Sequence, residues 1–194
     1  QNNSDNAFMS ITQSGNGNTS TALQNSANGS SMTVKQSGDS NTANSDQVLS
    51  TGSTMTVTQS GNGNTSDADQ YRASTSTMKV TQSGDSNTSD SDQFWAGTNS
   101  EMTVTQSGNG NGSIARQQYS ATMNMAIKQS GDSNNSDALQ TTSINDFMTV
   151  TQSGNGNTSD AEQNFTDSVT MTVTQSGDSN TSNALQTIND MGTM

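Results

Sequence analysis

Residues 53–70 read STMTVTQSGNGNTSDADQ, and this stretch decides the fold. Met55, Val57 and Gln59 alternate with threonines, the period-two pattern of a strand with one inward face. Ser60 and Gly61 follow, and glycine at that point supplies the positive φ of a tight turn. Beyond it Asn64, Ser66, Ala68 and Gln70 alternate with Thr65, Asp67 and Asp69, so a second strand returns with its own inward face. The unit is strand–turn–strand, bracketed by Gln59 and Gln70, eleven positions apart.

That bracket recurs along the whole chain, as Gln13 with Gln24, Gln36 with Gln47, Gln59 with Gln70, Gln82 with Gln93, Gln106 with Gln117, Gln129 with Gln140, Gln152 with Gln163 and Gln175 with Gln186. The period is 23 residues, with one step of 24 between Gln82 and Gln106. A fixed period of this length marks a solenoid or array, because a unit that cannot bury its apolar face alone does so by stacking on its neighbours. The expected fold is all-β: a β-solenoid of eight stacked strand–turn–strand repeats, with two facing parallel sheets in a cross-β arrangement. The repeats are 7–29, 30–52, 53–75, 76–99, 100–122, 123–145, 146–168 and 169–191, after a lead of residues 1–6 and before a tail of 192–194.

Four columns define the interior beside the glutamines. Four residues before each first glutamine stands Met9, Met32, Met55, Met78, Met102, Met125, Met148 or Met171. Two before it stands Ile11, Val34, Val57, Val80, Val104, Ile127, Val150 or Val173. Two after it comes Gly15, Gly38, Gly61, Gly84, Gly108, Gly131, Gly154 or Gly177. Five after it comes Asn18, Asn41, Asn64, Asn87, Asn111, Asn134, Asn157 or Asn180. The apolar core is thin, so backbone ladders and stacked amides must supply much of the cohesion. An amide in a stack donates to one neighbour and accepts from the other, so both of its halves are expected to be satisfied. At a terminal rung half of that bonding is missing, which makes Gln13, Gln24, Gln175 and Gln186 the expected assembly ends. Neither end reads as a polar capping repeat, so head-to-tail polymerisation through open strand edges is the expectation.

Composition narrows the function. Apolar residues are 25% of the chain, and His, Cys and Pro are absent. The commonest general base, thiolate ligands and disulfides are therefore unavailable, and no catalytic, metal or cofactor site is expected. A net charge of −12 argues against nucleic-acid binding. No stretch approaches the ~20 apolar residues that insert across a bilayer. The chain opens at Gln1 rather than Met, consistent with removal of an upstream segment.

The repeat resembles that of curlin, the major subunit of bacterial curli fibres, whose pattern is S-x5-Q-x-G-x2-N-x-A-x3-Q. Residues 53–70 follow it, as do residues 100–117, SEMTVTQSGNGNGSIARQ. Two departures stand out: Ser replaces the family's Ala seven positions after the first glutamine in every repeat but one, where Ala43 stands, and Ala7, Met123, Asp146 and Val169 replace the initial Ser. The resemblance implies a secreted functional amyloid, a solenoid stacking on itself into extracellular fibres of biofilm matrix and adhesion. It also implies nucleator and secretion-channel proteins as partners.

Several weaker patterns remain. The turn alternates Gly-Asn-Gly-Asn with Gly-Asp-Ser-Asn, so Asp39, Asp85, Asp132 and Asp178 occupy every second rung. Carboxylates on adjacent rungs would repel by about 1 kcal/mol in water, whereas doubling the spacing brings them near the ~10 Å Debye length. Duplication of a two-repeat unit produces the same alternation. An outward acidic set, Asp67, Asp69, Asp90, Asp92, Asp137, Asp160 and Glu162, reads either as a solvated face that limits aggregation or as a calcium-binding row. Outward Thr-x-Thr pairs such as Thr56/Thr58 and Thr103/Thr105 follow from β-propensity or form an ice-binding array, which Lys35, Lys79 and Lys128 interrupt. Tyr71, Phe94, Trp95, Tyr119 and Phe165 cluster in the variable turns, for packing or for lateral contacts. The alternative to a fibre subunit is thus a soluble ice-binding or calcium-dependent adhesin solenoid.

Overall fold

A computed structural model describes residues 4–187. The rest of the predicted lead, the end of the eighth repeat and the predicted tail lie outside the described residues. The rungs are β1 (Phe8–Ser14) with β2 (Thr19–Asn25), β3 (Ser31–Ser37) with β4 (Thr42–Val48), β5 (Thr54–Ser60) with β6 (Thr65–Tyr71), and β7 (Thr77–Ser83) with β8 (Thr88–Ala96). They continue as β9 (Glu101–Ser107) with β10 (Gly112–Ser120), β11 (Asn124–Ser130) with β12 (Asn135–Thr141), β13 (Phe147–Ser153) with β14 (Thr158–Asn164), and β15 (Thr170–Ser176) with β16 (Thr181–Thr187). Odd strands form one eight-stranded sheet and even strands the other, each in rung order. All pairings are parallel, and each residue lies beside its counterpart one period away, as Met55 beside Met78 and Gln59 beside Gln82. The solenoid expected from the period is the fold observed.

The inner faces meet in a core one side chain deep from each sheet. Methionine and valine or isoleucine from the odd strands pack against Ala43, Ala68, Ala115, Ala138 and Ala161 from the even strands. The first rung is the exception: Ile11 is 43% exposed and Met9 only partly buried, whereas Met171 and Val173 of β15, the other edge of the same sheet, stay buried. The sheets are also staggered. Gln36 Nε2 of the second rung donates to Thr19 O of the first (2.9 Å), while Gln47 Nε2 donates to Ser31 O within its own rung (3.3 Å). The chain therefore climbs as it crosses between sheets, and the end rungs are stepped rather than flat.

The 24-residue step leaves the ladders intact. Gln82 Nε2 and Gln93 Nε2 both reach the next rung at 2.9 Å, with the extra residue taken up in the turn after Ala96. The N-terminus departs from the expected boundary. Ala27 N–H donates to Ser4 Oγ (3.0 Å), Asp5 N–H to Asn28 Oδ1 (3.0 Å) and Gly29 N–H to Asp5 O (2.8 Å). Residues 4–6, read as a lead, thus prolong the variable turn one step below residues 27–29.

Candidate functional site

The repeat columns become hydrogen-bonded ladders with a direction. Along the first glutamine column each Nε2 donates to the Oε1 of the following rung, from Gln13 to Gln36 (2.6 Å) through Gln59 to Gln82 (2.8 Å) to Gln152 to Gln175 (2.9 Å). The second column does the same, from Gln24 to Gln47 (2.8 Å) to Gln163 to Gln186 (2.9 Å). Spare Nε2 protons reach backbone carbonyls across the core, as Gln59 to Thr42 O (2.9 Å). Both columns therefore point their donors toward the C-terminal rung.

Full satisfaction of every amide, expected from the stack, needs correction at two positions, Gln140 and Gln163. Their ladder bonds are present: Gln140 Oε1 accepts from Gln117 Nε2 (3.1 Å) and Gln140 Nε2 donates to Gln163 Oε1 (2.8 Å). Gln117 also donates to Glu101 O across the core (3.1 Å), but among the described residues neither Gln140 nor Gln163 has such a second acceptor, although both are fully buried. Two ladder bonds fix an amide's position without using its second N–H, so the column holds at Gln140 and Gln163 with one proton unmatched at each. The asparagine column runs oppositely to the glutamines: Asn64 N and Nδ2 both donate back to Asn41 Oδ1 (3.0 Å each), while Nδ2 also reaches Gly84 O on the following rung (2.8 Å).

The turn forms a fourth ladder. Asn16 N–H donates to Asp39 Oδ1 (2.7 Å), Asp39 N–H to Asn62 Oδ1 (2.9 Å), and the exchange repeats up to Asn155 N–H and Asp178 Oδ1 (2.8 Å). Each alternating Asp thus accepts from backbone below, and Asp39, Asp85 and Asp132 each have an Asn amide as neighbour above. The glycine before it is fixed by contact as well as by φ. At Gly61 φ is +99°, and a Cβ there would lie 2.1 Å from Gly84 O, a carbonyl of the next rung. Among the described residues Gly177 alone of the eight has no such carbonyl over it; the nearest atom to its notional Cβ is Asn180 Nδ2, 3.7 Å away.

The expected end residues are not equivalent. Gln13 is exposed and Gln186 half-buried, whereas Gln24 and Gln175 are buried. The stagger explains this: β1 and β16 are the outermost steps, and β2 and β15 lie half-covered behind them.

The outer faces differ in charge. Even strands carry the acidic set found in the sequence, joined by Asp46, with Asp46, Asp69 and Asp92 stacked on successive rungs and Asp67 beside Asp90. Burial, and then the charge of Asp67 and its neighbours, pushes the Asp69 carboxyl up to about 7. Burial and Asp90 push Asp92 up to about 6, against the lowering effect of Arg116. Arg116 lies 3.5 Å from Asp90 and 3.7 Å from Asp92. Among the described residues no three carboxylates converge in a way that could hold a metal ion. The aromatics line the variable turn: Tyr71 and Phe94 stack at 5.1 Å, Tyr119 meets Phe94 edge-on, and the Arg72 guanidinium lies 4.2 Å over Trp95, while Phe165 stands exposed.

Two further columns were not assigned to the interior by the sequence reading, although the second is that of the repeat pattern's initial Ser. Within the variable turn, Ala27, Ser50, Ala73, Ala96, Ser143 and Thr166 point inward, as do Ser30, Ser53, Ser76, Ser100, Met123 and Asp146. Asp146 accepts from Thr166 Oγ1 and Val169 N–H, which satisfies a buried carboxylate where the second to fifth rungs have Ser. Small side chains at a fixed place after the second glutamine were the available signal. The turn also holds bulky residues in left-handed backbone, among them Leu49, Trp95, Tyr119 and Phe165 at φ of 52–55°.

The fold and its ladders define a class: a parallel two-sheet β-solenoid whose repeat positions are structural throughout. Within that class the curlin associated repeat model matches residues 5–38 and 76–108, in keeping with the resemblance that residues 53–70 and 100–117 carry. A comparison with curated proteins returns no match.

Proposed function

We propose that this chain is the structural subunit of an extracellular, curli-like amyloid fibre and that it grows head to tail. The single observation that supports this most strongly is directional continuity. Sheet order, register and ladder polarity repeat without change along the stack, so the first rung of one copy is the natural continuation of the last rung of another. In that junction Gln175 would donate to the next copy's Gln13, and Asp178 N–H would meet its Asn16 in the same Asp–Asn alternation that runs inside the chain. Strand edges β1 and β15, and β2 and β16, would pair, which removes the exposed edges that native sheets otherwise have to protect. The stepped ends favour one orientation, because a head-to-head contact would set like steps against each other.

Secretion, biofilm-matrix adhesion and reliance on nucleator and channel proteins belong to the same reading and rest on the curlin repeats. No residue is assigned a catalytic role. The test is seeded assembly of purified protein: preformed fragments should abolish the lag and elongate, as read by an amyloid dye and by electron microscopy of the filaments. A chain that stays monomeric for days at high concentration, with seeds present, overturns the proposal.

A further inference from the structure

The two outer faces carry opposite charge, and their charges are ordered by rung. Among the described strand residues the odd face has three lysines and one glutamate, and the even face eight carboxylates and one arginine. Lys79 lies in the fourth rung, whose other face carries Asp90 and Asp92. Lys128 lies in the sixth, with Asp137 on the other face. Lys35 lies in the second, with Asp46. Glu101, the one acid of the odd face, lies in the fifth rung, and there the even face carries its one cation, Arg116. We propose that solenoids associate side by side through these faces, the threonine-lysine face of one copy on the acidic face of the next, both pointing the same way and in rung register.

Positions along the strands agree. Gln93 Nε2 reaches Thr77 O, Gln117 Nε2 reaches Glu101 O and Gln82 Nε2 reaches Thr65 O, which sets the lateral alignment of the two sheets. In a copy displaced straight across, Lys79 falls between Asp90 and Asp92, Glu101 falls within one residue of Arg116, and Lys128 within one residue of Asp137. Lys35 and Asp46 are three residues apart along the strand, roughly 10 Å, so this pair is the loosest.

Shape follows charge. The short side chain of Ala126 leaves a dent of about 160 Å³ on the odd face, bordered by Thr103, Phe147 and Thr149. The same rung of the even face carries Leu139, half-buried and one residue from the facing position. Each face is roughly 38 Å by 23 Å for eight rungs of seven-residue strands. Covering two of them buries ~1,700 Å², the size of a standard specific interface.

Other arrangements fail on Glu101 and Arg116. In antiparallel stacking Glu101 meets Asp90 and Asp92, and Lys79 meets Arg116. Slipping by one rung sets Glu101 against acids in either direction. Like faces repel, since the even face is strongly acidic. An arriving Lys79 would also relieve Asp92, whose carboxyl is already pushed up by burial and by Asp90. The contact is a translation rather than a two-fold, so each added copy offers both faces again and the array stays open. This goes beyond head-to-tail growth and does not depend on it.

The chain has no cysteine, so an introduced pair reports one contact. Thr103→Cys with Ile114→Cys leaves every charge in place. Within a copy these side chains point away from each other on opposite sheets ~10 Å apart, out of the ~3.5–4.5 Å Cβ reach of a disulfide. Mild oxidation at low salt should yield a ladder of cross-linked copies, fading at high salt as the charges are screened. Adding Glu101→Lys should cut the yield by about tenfold, and adding Arg116→Glu to that variant should restore it. Absence of cross-links in folded protein, or an unchanged yield with Glu101→Lys, overturns the proposal. Filament growth is read separately by microscopy, so cross-links without filaments sink only the head-to-tail reading, and filaments without cross-links sink only this one.

Discussion

Replacing Gly177 by alanine separates folding from assembly. At the interior Gly108, φ is +97° and an added Cβ would lie 2.2 Å from Gly131 O and 2.8 Å from its carbon. Relief requires opening the rung by more than 1 Å, roughly a quarter of the ~4.8 Å strand spacing. That weakens neighbouring ladder bonds such as Gly110 N–H to Asp85 O and Ser133 N–H to Asn109 O, both 2.9 Å. Left-handed strain of ~1–2 kcal/mol and two hydrogen bonds at ~0.5–1.5 kcal/mol each give about 2–5 kcal/mol of lost stability for Gly108→Ala. Gly177→Ala incurs the strain alone, since among the described residues no carbonyl lies over it. In a head-to-tail fibre, however, the next copy's Gly15 occupies that place, and the same collision recurs at every junction. A junction weakened by ~2–3 kcal/mol raises the critical concentration roughly 30–150-fold. The assay is urea denaturation of the soluble chain alongside seeded elongation. Gly177→Ala should remain folded, yet add once to a growing end and block it, inhibiting parent fibres at substoichiometric amounts. Normal elongation by folded Gly177→Ala, or equal destabilisation by the two substitutions, would refute the reasoning.

Three other outcomes follow from the same geometry. Asp69 has a folded pKa of about 7 against 3.8 unfolded, so the folded state holds the proton more tightly; its contribution is fully present below pH ~4 and is lost as pH rises through ~7. Asp69→Asn should therefore stabilise the fold by about 1–2 kcal/mol at pH 8, a figure reduced for solvent screening, and by nothing near pH 4, as read from denaturation midpoints across pH. Ser66 Oγ is buried without a hydrogen-bond partner, so Ser66→Ala, the residue of the curlin pattern, should be neutral or stabilising by up to ~1 kcal/mol; a loss of 1 kcal/mol would mean the hydroxyl is satisfied. Alanine at Gln13 or Gln186 should slow seeded elongation more than at Gln82 or Gln93, where the damage falls on chain stability, and equal elongation rates in all four would contradict the role given to the ends.

Most of the architecture was legible because the repeat is written in residue types whose inward and outward preferences are plain. Met55, Val57 and Gln59 could point only one way once Thr54, Thr56 and Thr58 pointed the other. What stayed hidden had a physical reason. Ser50 and Ser53 face inward in a turn with no strand alternation, so period-two reasoning does not reach them. Leu49 and Trp95 adopt left-handed backbone that their side chains disfavour, as do Arg72, Tyr119 and Phe165 at the same place in other turns. The inequality of Gln13 and Gln24 depends on the climb between sheets, which a repeat pattern read in one dimension does not encode. The difference between Gln117, which finds a second acceptor, and Gln140 and Gln163, which do not, is likewise invisible in a column of identical residues. The pairing of Glu101 with Arg116 on opposite faces of one rung, too, emerges only when the strands are folded back on each other.

The central claim is continuity of the solenoid from one copy to the next, and a helical reconstruction of the fibre by cryo-electron microscopy tests it most directly. The rung spacing should stay at ~4.8 Å through the chain junction, with Gln175 donating to the following copy's Gln13 and Gly15 seated over Gly177. A gap at the junction, or two copies meeting through the same end, would contradict it.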